Sequence, residues 1–150
     1  MNRSLNNSTL VTQVSPYAAA NIVAVTNGTI IDLASPTEGI FDSVRFILSP
    51  AIVLATGTVL MKAFCGDDSA LGDGAYAVTQ VSYTAPTPTD RSSIPVCLDL
   101  VRPGKRYVRL DYTLAVATTA INCVIAERYN AKVEPTTLPN TDSKTSINRG

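Results

Sequence analysis

The sequence contains no histidine and no tryptophan, and each absence removes a class of chemistry. Without an imidazole, no side chain titrates unaided near neutral pH, so neither a Ser-His-Asp nor a Cys-His constellation can be assembled. Without tryptophan, and with aromatics at only 6% of residues, there is little material for the flat ring platform a sugar-binding module needs. Charge of one sign is also missing. Twelve basic and twelve acidic residues balance to a formal net charge of zero, with no long run of either sign, which argues against nucleic acid held through its phosphates. No GxxxxGK[ST] or GxGxxG motif offers a phosphate cradle. The most apolar stretch, from Phe46 to Phe64, is broken by Ser49, Pro50, Gly57, Thr58 and Lys62, so no membrane span is expected. The first ten residues, MNRSLNNSTL, lack the apolar segment of a secretory signal, and synthesis and use without export are expected.

Cysteine is scarce and unclustered. Cys65, Cys97 and Cys123 lie 32 and 26 positions apart, so a zinc site would need three thiolates and a carboxylate converging from distant strands. They are expected to be free, small buried thiols in strands, in a reducing compartment, with no metal and no cofactor. Asp67, Asp68 and Asp73 fall in GDDSALGDG, where Asp and Gly are the ordinary residues of a turn and do not follow the order of calcium-loop ligands. No other carboxylate pair is placed for acid–base hydrolysis, so no catalytic residue is expected and the chain reads as a non-enzyme.

What is present is strand after strand. NIVAVT and TIIDL flank Asn27-Gly28, the strongest short-range hairpin signal, and predict a hairpin there. In FDSVRFILS, Val44, Phe46 and Leu48 alternate with Ser43, Arg45 and Ile47, a half-buried strand with a partly apolar outer side. TVLMKAFC, AYAVTQVSYT and SSIPVCLDL are further strands, with Pro95 marking an edge or a bulge. RYVRLDYTL separates Val108, Leu110, Tyr112 and Leu114 from Tyr107, Arg109, Asp111 and Thr113. In INCVIAERY the alternation of Ile121, Cys123 and Ile125 and the abundance of β-branched residues favour a strand over the helical stripe that also fits. About eight short strands with turns between them predict an all-β antiparallel sandwich over residues 17–129. Residues 1–16 and 130–150 are polar and are expected to be arms that order on a partner.

Candidate contact residues follow from this layout. Arg102, Lys105, Arg106 and Arg109 form a basic cluster that Asp99 and Asp111 flank, which favours local ion pairing over docking to an acidic partner. Tyr107 is on the outward parity beside it, and Leu10, Val11, Val133 and Leu138 are the apolar anchors available in the arms. Outward apolar residues such as Ile47 favour oligomerisation through β surfaces.

The order of three segments resembles a known family. PGKRYVRLDYTLAVATTAINCVIAERYNAK is similar to the C-terminal strands of small capsid cement, or head decoration, proteins of tailed bacteriophages, which carry a KRYLRLNYTV-type segment followed by a β-branched strand. NGTIIDLASP resembles their IDLG step, and GTVLMKAFCGDDSAL takes the place of their central strand, so the likeness spans about two-thirds of the chain. The resemblance implies a jelly-roll-like sandwich that sits on the outside of an icosahedral head as a homodimer or homotrimer and clamps neighbouring major capsid subunits, after synthesis in the host cytoplasm. Another virion β-domain from a tail, baseplate or fibre, or a carbohydrate-binding module, is the alternative.

Overall fold

A computed structural model describes residues 10–15, 26–36, 38–53, 57–72, 76–84, 95–115 and 118–133. All the regular structure among them is strand: β1 Leu10–Ser15, β2 Thr26–Asn27, β3 Ile31–Asp32, β4 Ala34–Ser35, β5 Gly39–Val53, β6 Thr58–Gly66, β7 Tyr76–Thr84, β8 Val96–Val101, β9 Tyr107–Ala115 and β10 Thr118–Val133. Every pairing is antiparallel. In one sheet β10 lies between β1 and β5, and β4 and β8 share the other edge of β5; in the second, β6 lies between β7 and β9, and β2 and β3 share the far edge of β9. Taking β2 and β3 as one interrupted strand and β4 as a spur leaves eight strands. Their order is first-eighth-third-sixth in one sheet and second-seventh-fourth-fifth in the other, which is the jelly-roll order. The all-β sandwich anticipated from the sequence is therefore the fold.

The core is the set of inward parities. Val44, Phe46 and Leu48 of β5, Leu98 and Leu100 of β8, and Val124 and Ala126 of β10 meet Val59, Met61 and Ala63 of β6 and Val108, Leu110, Tyr112 and Leu114 of β9. The long β5 runs through Pro50. A residue with no N–H is accommodated because the register against β10 shifts on either side of Ile121, its partner, and β8 stops pairing at Leu48.

Four expectations need correction. First, β2 and β3 do not pair with each other; both run antiparallel along β9, with Thr26 opposite Tyr112 and Ile31 opposite Val108. Asn27-Gly28 is thus an irregular step in one edge strand, not a hairpin turn, although residues 21–25 lie outside the described residues. Glycine is required there for room. The Gly28 amide donates to the Leu110 carbonyl at 2.8 Å, and a Cβ would sit 2.6 Å from that oxygen and 2.6 Å from Val14 Cγ1. Gly28→Ala should therefore cost about 1–3 kcal/mol through overpacking against backbone that cannot yield, read as a lower urea midpoint at unchanged slope.

Second, residues 10–15 of the expected N-terminal arm are a core strand, with Leu10 and Val14 buried and β1 paired to β10 over Leu10–Ser15. Leu10, expected as a partner anchor, is 4% exposed and holds the sandwich together instead. At the other end β10 runs on to Val133, past the expected start of the C-terminal arm at residue 130. Residues 1–9 and 134–150, with Leu138, lie outside the described residues.

Third, Ile121, Cys123 and Ile125 do not share one face: Ile121 is buried in the core, and the two after it are not. The register shifts between Ile121 and Cys123, so Val124, Ala126 and Arg128 face the core and Cys123 and Ile125 turn to the outer side. Fourth, only Cys65 is a buried thiol; all three cysteines are free, but Cys97 is exposed and Cys123 half-buried.

Candidate contact surfaces

The basic cluster is occupied by the protein's own carboxylates. On β9 and the turn before it, Arg106 donates Nε and Nη2 to the two carboxylate oxygens of Asp32 at 2.9 and 2.8 Å, and its guanidinium lies 5.0 Å from the centre of the Tyr107 ring. That bond is the main cause holding the Asp32 carboxyl below its ordinary range, against the upward push of burial. Arg109 binds both oxygens of Asp111 at 2.7 and 3.0 Å. Arg102 pairs with Asp42 at 3.4 Å, and Lys105 pairs with Asp67. Local ion pairing, favoured from the sequence, is what all four make; of the two acids flanking them, however, only Asp111 is a partner. Residues 66–72 of the GDDSALGDG segment form a turn around Asp68, whose carboxylate accepts from the amides of Ala70 and Gly72 while Leu71 takes a positive φ. Asp73 lies outside the described residues.

The candidate residues are not gathered in one place. Tyr107 and Arg109 belong to the β7–β6–β9 sheet and Arg106 to the turn leading into it, while Val11, on β1, and Val133, at the end of β10, belong to the opposite sheet. Val11 is 53% exposed, available to a partner as the sequence reading required.

The outer side of the β1–β10–β5–β8 sheet is a second surface, only partly visible in the sequence. Across it the register aligns Gln13, Ile125, Ile47 and Cys97 in one row and Val11, Glu127, Arg45 and Asp99 in the next. Arg45 reaches Asp99 at 3.1 Å and Glu127 at 3.8 Å, with Val101 63% exposed at the margin. Ile125, Ile47 and Cys97 thus form a largely apolar row, bordered by an arginine that pairs with two carboxylates. The outward Ile47 was legible from the alternation of FDSVRFILS; Ile125 was not, because the bulge that turns it outward leaves no local signature. A thiol reagent should label Cys97 in the native protein and leave Cys65 unreacted until denaturant is added, as read by mass spectrometry of the labelled peptides.

Tyr129 closes the charged row. Its hydroxyl donates to Asp99 at 2.5 Å, and the Arg45 guanidinium lies 5.6 Å from its ring centre. Burial, then the bond to Asp99, pushes its pKa up to about 12 from 10.0. Because the native value lies above that of the unfolded chain, this contribution to stability is full below pH 10 and disappears as the pH rises towards 12. The difference between phenolate absorbance titrations of the native protein and of Tyr129→Phe should isolate this late transition; a difference centred near pH 10 would contradict the burial and the bond.

No protein-family model matches the chain, and no curated protein matches it. In fold, the chain resembles PBSX exported protein XepA. The two share 13% identity and a TM-score of 0.56 over 93% of this chain and 42% of that one, so this chain spans less than half the length of XepA. Looser likenesses are to dimeric latent PorU from Porphyromonas gingivalis (8% identity, TM-score 0.41, 87% of this chain and 13% of that chain) and to the xylan-binding module CBM15 (11%, 0.35, 87% and 95%). At those scores neither bears on what this chain does.

Proposed function

We propose that this chain is a structural virion protein that binds the outer surface of an icosahedral phage head and stabilises contacts between major capsid subunits. One observation carries the reading. A jelly-roll sandwich presents an apolar outer row, Ile125, Ile47 and Cys97, with exposed Val11 and Val101 nearby, while the charged side chains around it are engaged with one another. Such a surface gains from being covered. The resemblance of PGKRYVRLDYTLAVATTAINCVIAERYNAK to head decoration proteins supports a bacteriophage origin.

In this reading the protein is not an enzyme, takes no cofactor, and acts as a homodimer or homotrimer on the capsid exterior after synthesis in the host cytoplasm. Its partner is the major capsid protein. The test is to add the purified chain to heads that lack it and to follow occupancy and the temperature of rupture. Saturable binding with a higher rupture temperature is expected. Binding to isolated tails but not to heads would replace this reading with that of a tail or baseplate β-domain.

A further inference from the structure

The outward side of the other sheet carries a second feature. Along β6, burial alternates strictly, so that Leu60, Lys62 and Phe64 face outward while Val59, Met61, Ala63 and Cys65 face the core. Register sets Leu60 beside Thr113, Lys62 beside Asp111 and Phe64 beside Arg109 on β9. Together Leu60, Lys62, Phe64, Asp111 and Thr113 line a pocket of about 230 Å³.

The charges in this pocket do not pair as the register suggests. Asp111, with only 8% of its side chain exposed, is bound through both oxygens by Arg109, whose guanidinium lies 5.6 Å from the centre of the Phe64 ring. Arg109 therefore neutralises the carboxylate that faces Lys62 across the strands. Among the described residues, Lys62 has no carboxylate within ion-pair distance. It is left half-buried between Leu60 and Phe64 as the uncompensated positive charge of a mostly apolar pocket.

We propose that this pocket receives a carboxylate side chain of a partner protein, with an adjoining apolar side chain packed between Leu60 and Phe64 and the carboxylate on Lys62. Charge complementarity selects the carboxylate, because the site carries one positive charge that no carboxylate among the described residues pairs with. At about 230 Å³ the pocket is below the roughly 300–1,000 Å³ usual for drug-sized ligands, which matches a carboxylate with one adjoining side chain. Arg109 acts as a positioning residue by engaging both oxygens of Asp111, the carboxylate opposite Lys62. That the partner is a capsid subunit rests on the function proposed above; the chemistry of the pocket does not.

The experiment has two arms. In the first, the full chain is titrated with 3-phenylpropionate and with its neutral amide, followed by NMR shifts. The carboxylate should perturb Leu60, Lys62, Phe64 and Thr113 with a Kd of about 1–10 mM, several-fold tighter than the amide. Lys62→Met, which keeps the aliphatic stem, should abolish that preference without changing the melting temperature. Equal binding of the two probes, shifts elsewhere, or an undiminished preference in Lys62→Met would overturn the proposal. In the second arm, Lys62→Glu is added to heads lacking the protein and should occupy them about tenfold less than the native chain. If both occupy equally, the pocket is not the contact and the proposal fails while the capsid reading stands. If the native chain does not bind heads but the probes behave as expected, the capsid reading fails and the pocket stands.

Discussion

Deleting residues 1–15 should lower the melting temperature of the isolated protein by roughly 10–20 °C. Those residues include β1, which sets Leu10 and Val14 in the core and hydrogen-bonds along β10. Burying two such side chains contributes about 3–6 kcal/mol, and a domain of this size shifts by about 3 °C per kcal/mol. The deletion also exposes the paired edge of β10 and removes Thr12, a partner of Arg128. A truncated protein that melts with the full chain would mean that β1 adds nothing to the sandwich and is the arm the composition of residues 1–16 suggests. Calorimetry of the two proteins at equal concentration decides.

Arg128→Ala should cost about 2–5 kcal/mol, and Arg128→Met distinctly less. Arg128 is 2% exposed on the inward parity of β10, a place the alternation reserves for apolar residues. Its guanidinium donates to the Asp32 carbonyl at 3.1 Å, to a Glu38 carboxylate oxygen at 2.7 Å and to the Thr12 hydroxyl at 2.9 Å, and lies 5.5 Å from the centre of the Phe41 ring. One side chain thus ties β1, β3 and the approach to β5 together where the sheets would otherwise gape. Its Nε has no hydrogen-bond partner, a desolvation cost that weakens the net gain. Alanine leaves a cavity and frees all three elements. Methionine refills much of the volume, and Glu38, nearly half exposed, returns to water without being stranded. Urea denaturation gives the two costs, and amide exchange in the Arg128→Ala protein should accelerate most in β1. Loss of equal size in both variants would assign the effect to the hydrogen bonds; no loss in either would mean that Arg128 is a passenger in the core.

The parts of this fold that the sequence made legible are those governed by strict alternation over uninterrupted strands. Val108 to Leu114 and Val44 to Leu48 each keep one parity, and both pack as read. Legibility ended wherever a bulge resets the parity or a residue serves a distant contact. The shift between Ile121 and Cys123 exchanges the faces of everything after it in β10, and nothing in INCVIAERY marks it. Asn27-Gly28 satisfies the chemistry of a type I′ turn, but here glycine answers a different need, the close approach of Leu110 and Val14. Polar composition made residues 10–15 look like an arm because β1 is an edge strand with just two fully buried side chains, too short a signal to stand out. At the contact surfaces, the presence of ion pairs was legible and their identities were not: Arg106 finds Asp32 from 74 positions away. In the sequence Lys62 stood out only as a break in the apolar stretch from Phe46 to Phe64, since a lone lysine on an outward parity is ordinary. Only the capture of Asp111 by Arg109 makes it distinctive.

The proposed capsid-covering role stands or falls on add-back to heads that lack the protein. Heads are incubated with increasing native protein, separated from unbound chain, and heated while genome release is followed. Saturable occupancy at a fixed ratio to the major capsid protein is expected, with a rupture temperature that rises with occupancy to a plateau. Heads that bind no protein at micromolar concentration, or that bind it and rupture at the unchanged temperature, would contradict that role.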